Sequence, residues 1–212
     1  MALTLKVTNG SGGGTEKAPV GNHLALLVGI FEMGTQENTF QGQETKWQRR
    51  AYFVWELVGE MITGTTKNHV IGIDLTFSLN EKATLRKWIE ARTGKVISEG
   101  QFDLATELGQ PCMLNVVEKN GYPKIAGVAA VPQAFLKSLP KPGYTPTIVE
   151  LEQFKTGTPI PDWCPWLYGS PLEDHIKACQ EIGGPKPQPK RKSEQTGAPA
   201  ANNAVSNDPV PF

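Results

Sequence analysis

Trp47, Arg49, Arg50 and Tyr52 put two aromatic rings and two guanidinium groups into six consecutive positions. Ring faces stack nucleobases, at roughly 1–3 kcal/mol per base, and guanidinium forks hold phosphate oxygens. That combination suits a single strand of nucleic acid. Lys67, Lys119, Tyr122 and Lys124 fall in or beside turns, placed to border the same groove. The competing reading makes Arg49 and Arg50 solvated strand-edge charges, Tyr52 a packing residue and Tyr122 an ordinary exposed hairpin tyrosine. For the cluster as a whole the binding reading is preferred, with Phe31 as a weaker addition. The basic run Lys186, Lys190, Arg191 and Lys192 reads as solvated charge.

Catalytic constellations are missing from the sequence. There is no phosphate loop, no zinc-ligand spacing and no Ser or Cys in a nucleophile signature. His23, His69 and His175 are far apart in sequence and match no metal pattern. Glu56 and Asp74 are the nearest pair of acids on adjacent strands, and both are expected to face solvent as separate charges. A small nuclease with scattered ligands is therefore the weakest of the readings, and no enzyme activity, cofactor or metal is expected. The three cysteines, Cys112, Cys164 and Cys179, form no short-spaced pair, which suits a reduced, cytoplasmic setting.

A second chemical feature closes the chain. Asp208, Pro209, Val210, Pro211 and Phe212 end in an aromatic ring and a carboxylate on one residue. A partner groove with an apolar pocket and a cationic rim can read both groups at once, and the prolines lower the entropy lost on docking. The plainer alternative is a frayed terminus with a chance Phe.

The elements that must position these residues follow from periodicity. A strand is expected from Asn22 to Gly34, with Leu24, Leu26, Val28 and Ile30 on one side and Leu27 and Phe31 on the other. The next runs from Trp47 to Val58, where Ala51, Phe53, Trp55 and Leu57 form the core face and Arg50 and Tyr52 the opposite one. Ile71 to Leu79 alternates as a half-buried third strand. Ser78 and Glu81 have capping-box spacing before a helical stripe of Leu85, Trp88, Ile89 and Arg92, stopped by Gly94. A short helical piece, Phe102 to Leu108, precedes strands from Pro111 to Glu118 and from Lys124 to Val131, joined at Asn120-Gly121.

The expected class is mainly β with one or two helices. Five antiparallel strands with a helix after the third fit a five-stranded oligonucleotide-binding (OB-fold) Greek-key barrel, and an open α+β sheet is the competing layout. Residues 1–21 read as a flexible lead, 22–135 as the barrel and 136–183 as a Pro-rich connector with a short helical segment. Residues 184–212 read as a disordered tail. The 212-residue chain carries 21 basic and 21 acidic residues, so no global basic field announces a polyanionic partner. No apolar run reaches membrane-spanning length, and the Gly-rich N-terminus lacks a secretion signal.

Several short motifs recur in an order that resembles a family of phage-type single-stranded-DNA-binding-like proteins. They are Gly34-Thr35-Gln36, Arg49-Arg50 leading to Trp55-Glu56-Leu57, and Ser78-Leu79-Asn80-Glu81-Lys82 with Leu85-Arg86-Lys87. Leu108-Gly109-Gln110-Pro111-Cys112 with Asn115-Val116-Val117, and Ile160-Pro161-Asp162-Trp163 with His175-Ile176-Lys177, complete the set over residues 24–182. The closing Val210-Pro211-Phe212 is similar to the tip of bacterial single-stranded-DNA-binding proteins, although Asp208 stands alone where those tips carry an acidic run. The resemblance implies a non-catalytic protein of phage DNA replication or recombination, which would place it in the host cytoplasm. It would cover single-stranded DNA without sequence preference and recruit replication or recombination proteins through its tip. Homo-oligomer formation is compatible with it. The apolar Cys164-Pro165-Trp166-Leu167-Tyr168 departs from the family pattern and either covers the barrel or makes an oligomer contact. The rival reading is an OB-fold interaction or assembly module that binds no DNA.

Overall fold

Leu24 to Met33 and Ala51 to Leu57 are apolar at nearly every position, a pattern that belongs to strands covered on both faces. In the computed structural model these runs are the centre of a sheet. Residues 16–38, 46–98, 102–137, 139 and 141–185 are described. The strands are β1 (Gly21–Asn38), β2 (Lys46–Met61), β3 (Asn68–Thr76), β4 (Pro111–Lys119), β5 (Tyr122–Ala129) and β6 (Thr147–Val149). The first five are antiparallel in the order β3-β2-β1-β4-β5, and β6 adds to β1 in parallel. Among the described residues no ladder joins β3 to β5, so the sheet is not closed by hydrogen bonds. The expected class is met as a mainly β chain built on an antiparallel sheet.

One face of the sheet wraps a core. Leu27, Ile30, Phe53, Trp55, Ile71, Leu75, Leu114 and Ile125 are buried there together with Leu85 and Ile89 of α1 (Thr84–Thr93). Trp88 packs, partly buried, against this cluster and meets Trp55 edge to face at 6.0 Å, so Trp55 is a core residue and Trp88 lies at the core's edge. In β1 the strict alternation expected from sequence fails. Register shifts lie between Leu27 and Gly29 and between Glu32 and Gly34. Each extra residue reverses the phase of the pleat, so Ile30 joins the core side while Leu26 and Val28 point to the other.

The boundaries elsewhere show which local signals dominate. Asn120 and Gly121 adopt φ of 56° and 77°, the left-handed pair that a two-residue hairpin needs. Gly94 ends α1 in the same region at φ 67°, its N–H bonding Glu90 O. The Ser78–Glu81 capping box does not form. Ser78 Oγ accepts from Asn80 N in a turn, and α1 begins only at Thr84, without a side-chain cap. The piece around Leu104–Glu107 is a single 3-10 turn, opened by Asp103, whose carboxylate accepts from Ala105 N.

A second layer covers the opposite face. The layer contains α3 (Leu151–Lys155), α4 (Leu172–Lys177) and β6, while the short α2 (Gln133–Leu136) lies on the way to it. Tyr144, Val149, Leu151, Ile160, Leu167, Leu172, Ile176 and Cys179 are buried with Leu26, Val28, Phe31, Met33, Tyr52 and Val54. Carboxylates fasten it. Glu56, only 1% exposed, accepts from Asn68 Nδ2 at 2.6 Å and from Gly143 N at 2.9 Å. Glu32 accepts from Leu151 N at 3.1 Å, and Glu181 accepts from Thr35 N at 2.9 Å and Thr35 Oγ1 at 2.7 Å. Gly34 makes the close approach possible: at φ 69°, a Cβ there would sit 2.7 Å from Cys179 Sγ. The expectation that Glu56 and Asp74 face solvent is corrected. Glu56 is buried and Asp74 largely covered, and both are hydrogen bonded to this layer.

Candidate nucleic-acid interface

The sequence cluster at the start of β2 is divided by the fold. Trp47 is half-buried and lies opposite Glu37 across the β1–β2 ladder. Arg49 remains 58% exposed, but its Nε donates to Glu32 at 2.7 Å and its guanidinium lies 5.2 Å over the Phe77 ring. Arg50 is 15% exposed and paired with the Asp74 carboxylate, with a further bond to Asp74 O at 3.0 Å. Tyr52 is 2% exposed. It lies across Gly72, where any Cβ would collide with its hydroxyl. As folded, Tyr52 has no face open to a base, which corrects its assignment as a stacking residue. Burial raises its hydroxyl pKa far above the ordinary value, and neighbouring Cys164, Asp74 and Tyr168 push the same way.

Beside Arg49 runs a groove of about 410 Å³ floored by Ile30, Ala51, Phe77 and Phe102. Its rim carries Glu32, Asp103, Glu150 and Glu152 against the single Arg49, so its field opposes phosphate.

The other expected residues gather at the opposite end of the sheet. Trp47 and Met61 are separated by about 45 Å of strand at ~3.3 Å per residue. At the far end the β2–β3 turn brings Lys67, and the β4–β5 hairpin brings Lys119, Tyr122 and Lys124. All are exposed, Tyr122 by 63%. Lys17 joins them: its Nζ bonds Gly121 O at 2.8 Å and lies 5.0 Å over the Tyr122 ring. Among the described residues no ion pair engages Lys67, Lys119 or Lys124. Two of the nearby acids face other partners, since Glu16 accepts from Thr63 N at 2.8 Å and Glu60 meets His23 Nδ1 at 3.0 Å, while Glu118 is exposed on the hairpin itself. Glu16's carboxyl is held below its usual range chiefly by that Thr63 N–H. This end therefore offers uncommitted cations around a largely exposed ring that Lys17 caps on one face.

The second layer adds aromatics that the sequence cluster did not include. Trp166 is 68% and Tyr168 73% exposed, with Leu167 buried between them. They stand on a tight turn closed by Leu167 N to Ser170 O at 2.9 Å and Ser170 N to Leu167 O at 3.1 Å. Tyr168 and Gly169 take φ of 51° and 86°, and the tyrosine is one of two described non-glycine residues at positive φ. The Tyr168 hydroxyl donates to Asp74 Oδ1 at 2.8 Å; although the side chain as a whole is exposed, desolvation of this hydroxyl end, followed by the bond, pushes its pKa up to about 12. His175 props the turn through Ser170 Oγ at 2.8 Å and Leu167 O at 2.7 Å. A Tyr-Gly dipeptide is a weak turn signal, and only the Asp74 contact across 94 residues shows where it lands.

Among the described residues, no group of three or more His, Cys, Asp or Glu could hold a metal ion, and no helix is long and apolar enough to cross a membrane. Asp208 to Phe212, and the basic run from Lys186 to Lys192, lie outside the described residues. Comparison of the chain with models of protein families and with curated proteins finds no match.

The thiols supply a probe of both layers. Burial pushes Cys112 and Cys164 up to about 12 and also raises Cys179. At pH 8 a thiol with pKa near 12 is thiolate about one part in ten thousand. The folded protein is expected to react slowly with a disulfide reagent such as DTNB at pH 8, and to react fully and fast in denaturant. Rapid labelling of all three cysteines in the native state would contradict the burial described above.

Proposed function

We propose that this chain binds single-stranded DNA with little sequence preference and acts in phage DNA replication or recombination without catalysing a reaction. The observation that carries the reading is the element order: three antiparallel strands, α1, then a two-stranded hairpin whose β4 returns to pair with β1. That order is compatible with an oligonucleotide-binding barrel and supports the reading, although the sheet is not closed by a β3–β5 ladder. The free lysines and Tyr122 at the turn end supply phosphate and base contacts of the kind single strands require. The tip from Asp208 to Phe212 would present its ring and carboxylate to partner enzymes.

The test is a fluorescence titration with labelled oligo-dT, duplex DNA and single-stranded RNA at two salt concentrations. Tight, salt-sensitive binding of oligo-dT over duplex is expected. The K67A/K119A/K124A variant should bind more weakly at every salt and flatten the salt slope by about 0.7 for each phosphate it no longer neutralises. Deleting Phe212 should spare DNA binding and reduce capture of replication proteins. The neutral net charge, with Arg49 and Arg50 committed to Glu32 and Asp74, favours the adaptor reading instead. Absence of oligo-dT binding at low salt would select it.

A further inference from the structure

The face of β2 and β3 opposite the core is the face on which the sequence placed a stacking tyrosine, and the fold roofs it over. Tyr52 is covered, and Cys164 and Tyr168 are among the groups close enough to affect its ionisation. The roof then presents its own rings outward. We propose that the Trp166–Tyr168 turn is the base-stacking station of this face, taking nucleobases of single-stranded DNA; the inference rests on the DNA-binding reading above.

Three observations support that occupant. First, the Tyr168 ring is fixed before any ligand arrives, and Trp166 stands on the same anchored turn. The Tyr168 hydroxyl is bonded to Asp74, its ring meets His175 edge-on at 6.0 Å, and Leu167 anchors the turn in the second core. A side chain held at both ends loses little entropy when a base settles on it. Second, the turn keeps Tyr168 at φ 51°, a left-handed conformation that costs a residue with a Cβ about 1–2 kcal/mol. Burial does not repay that cost, because the side chain it displays is 73% exposed. Third, the area is too small for a protein partner. At 150–250 Å² for a whole aromatic side chain, two rings about two-thirds open offer roughly 200–350 Å², against ~800 Å² per side in a stable protein interface. A nucleobase needs only one ring face.

The charge beneath the turn is already balanced, since Asp74 holds Arg50 as well as Tyr168. The turn therefore contributes stacking, and the phosphates are held elsewhere. Lys67 stands just before β3 and Asp74 near its far end, about 23 Å apart along the chain at ~3.3 Å per residue. A strand following β3 would meet a cation and then the ring pair.

The experiment compares wild type, W166A/Y168A and W166F in titrations with oligo-dT and with an abasic oligomer of equal length. Stability is monitored by thermal melting. W166A/Y168A is expected to weaken oligo-dT binding at least tenfold, keep the wild-type salt slope and lose most of the preference for oligo-dT over the abasic strand. W166F should keep most of the affinity and lose most of the fluorescence quenching, because Trp166 is the most exposed of the five tryptophans. Wild-type affinity in W166A/Y168A, or full quenching in W166F, would overturn the stacking station while leaving the DNA-binding reading intact. Failure of the wild type to bind oligo-dT would overturn both.

Discussion

An E56A variant is expected to lose about 3 kcal/mol of stability, the scale of hydrogen bonds to a buried charged acceptor, and to lose it from one side of the sheet first. The Glu56 carboxylate is 1% exposed and receives Asn68 Nδ2, Gly143 N and Tyr144 N. Hydrogen bonds to a charged group contribute about 1.5–3 kcal/mol each, and orphaned donors add a desolvation cost. Two of the three donors belong to the start of the second layer, so removing the acceptor unfastens residues 143–182 where they join β2. Thiol labelling gives a site-resolved readout. Cys164 and Cys179 sit with the second layer and should react faster in E56A, whereas Cys112 sits in the wrapped core and should stay protected. E56Q keeps an acceptor and should cost less than half as much. Equal acceleration of all three thiols would mean that the two layers unfold as one unit.

The mirror-image experiment is E107A. Glu107 is 7% exposed on the 3-10 turn and accepts from two guanidinium nitrogens of Arg92, Nε at 2.8 Å and Nη2 at 2.7 Å. Removing one member of such a pair leaves an uncompensated charge and costs about 3–5 kcal/mol. For a chain of this size that corresponds to a fall in Tm of roughly 10 °C. The R92M/E107L double variant removes both charges and should recover much of the loss, since apolar replacement of a buried pair is often neutral. Arg92 and Glu107 both lie close enough to act on the Cys112 thiol. E107A should therefore accelerate Cys112 ahead of Cys164, the reverse of E56A. Unchanged melting in E107A would show that the pair makes no net contribution.

Local signals in the chain were readable in proportion to how local their causes are. The Asn120-Gly121 turn and the Gly94 helix stop depend on backbone sterics within two residues, and both are found as expected. The core face of β2 follows from alternation, and Ala51, Phe53, Trp55 and Leu57 occupy it. The bulges of β1 have no composition of their own, which is why Ile30 changes sides unannounced. The candidate site was harder still. Alternation assigns Arg50, Tyr52 and Glu56 to the face away from the core but cannot say whether that face meets water. The cover comes from Tyr144 to Cys179, about a hundred residues later, through contacts with no sequence proximity. One sign was present: β1 is apolar on both faces, with Leu26, Val28 and Phe31 as well as Leu27 and Ile30, and a solvated outer face would not need that.

The same separation sets a schedule for biosynthesis. Leu26, Val28, Phe31, Met33, Tyr52 and Val54 emerge early, while their cover ends at Cys179. At about 5–20 residues per second, the ~125 residues from Val54 to Cys179 take roughly 6–25 s to translate. A hairpin of β1 and β2 closes in about 1–10 μs. The nascent chain thus carries a paired, apolar and uncovered surface for a time some million-fold longer than the pairing itself requires. Shielding of that surface at the ribosome, more than the stability of the finished fold, is expected to govern how much of this protein a cell accumulates.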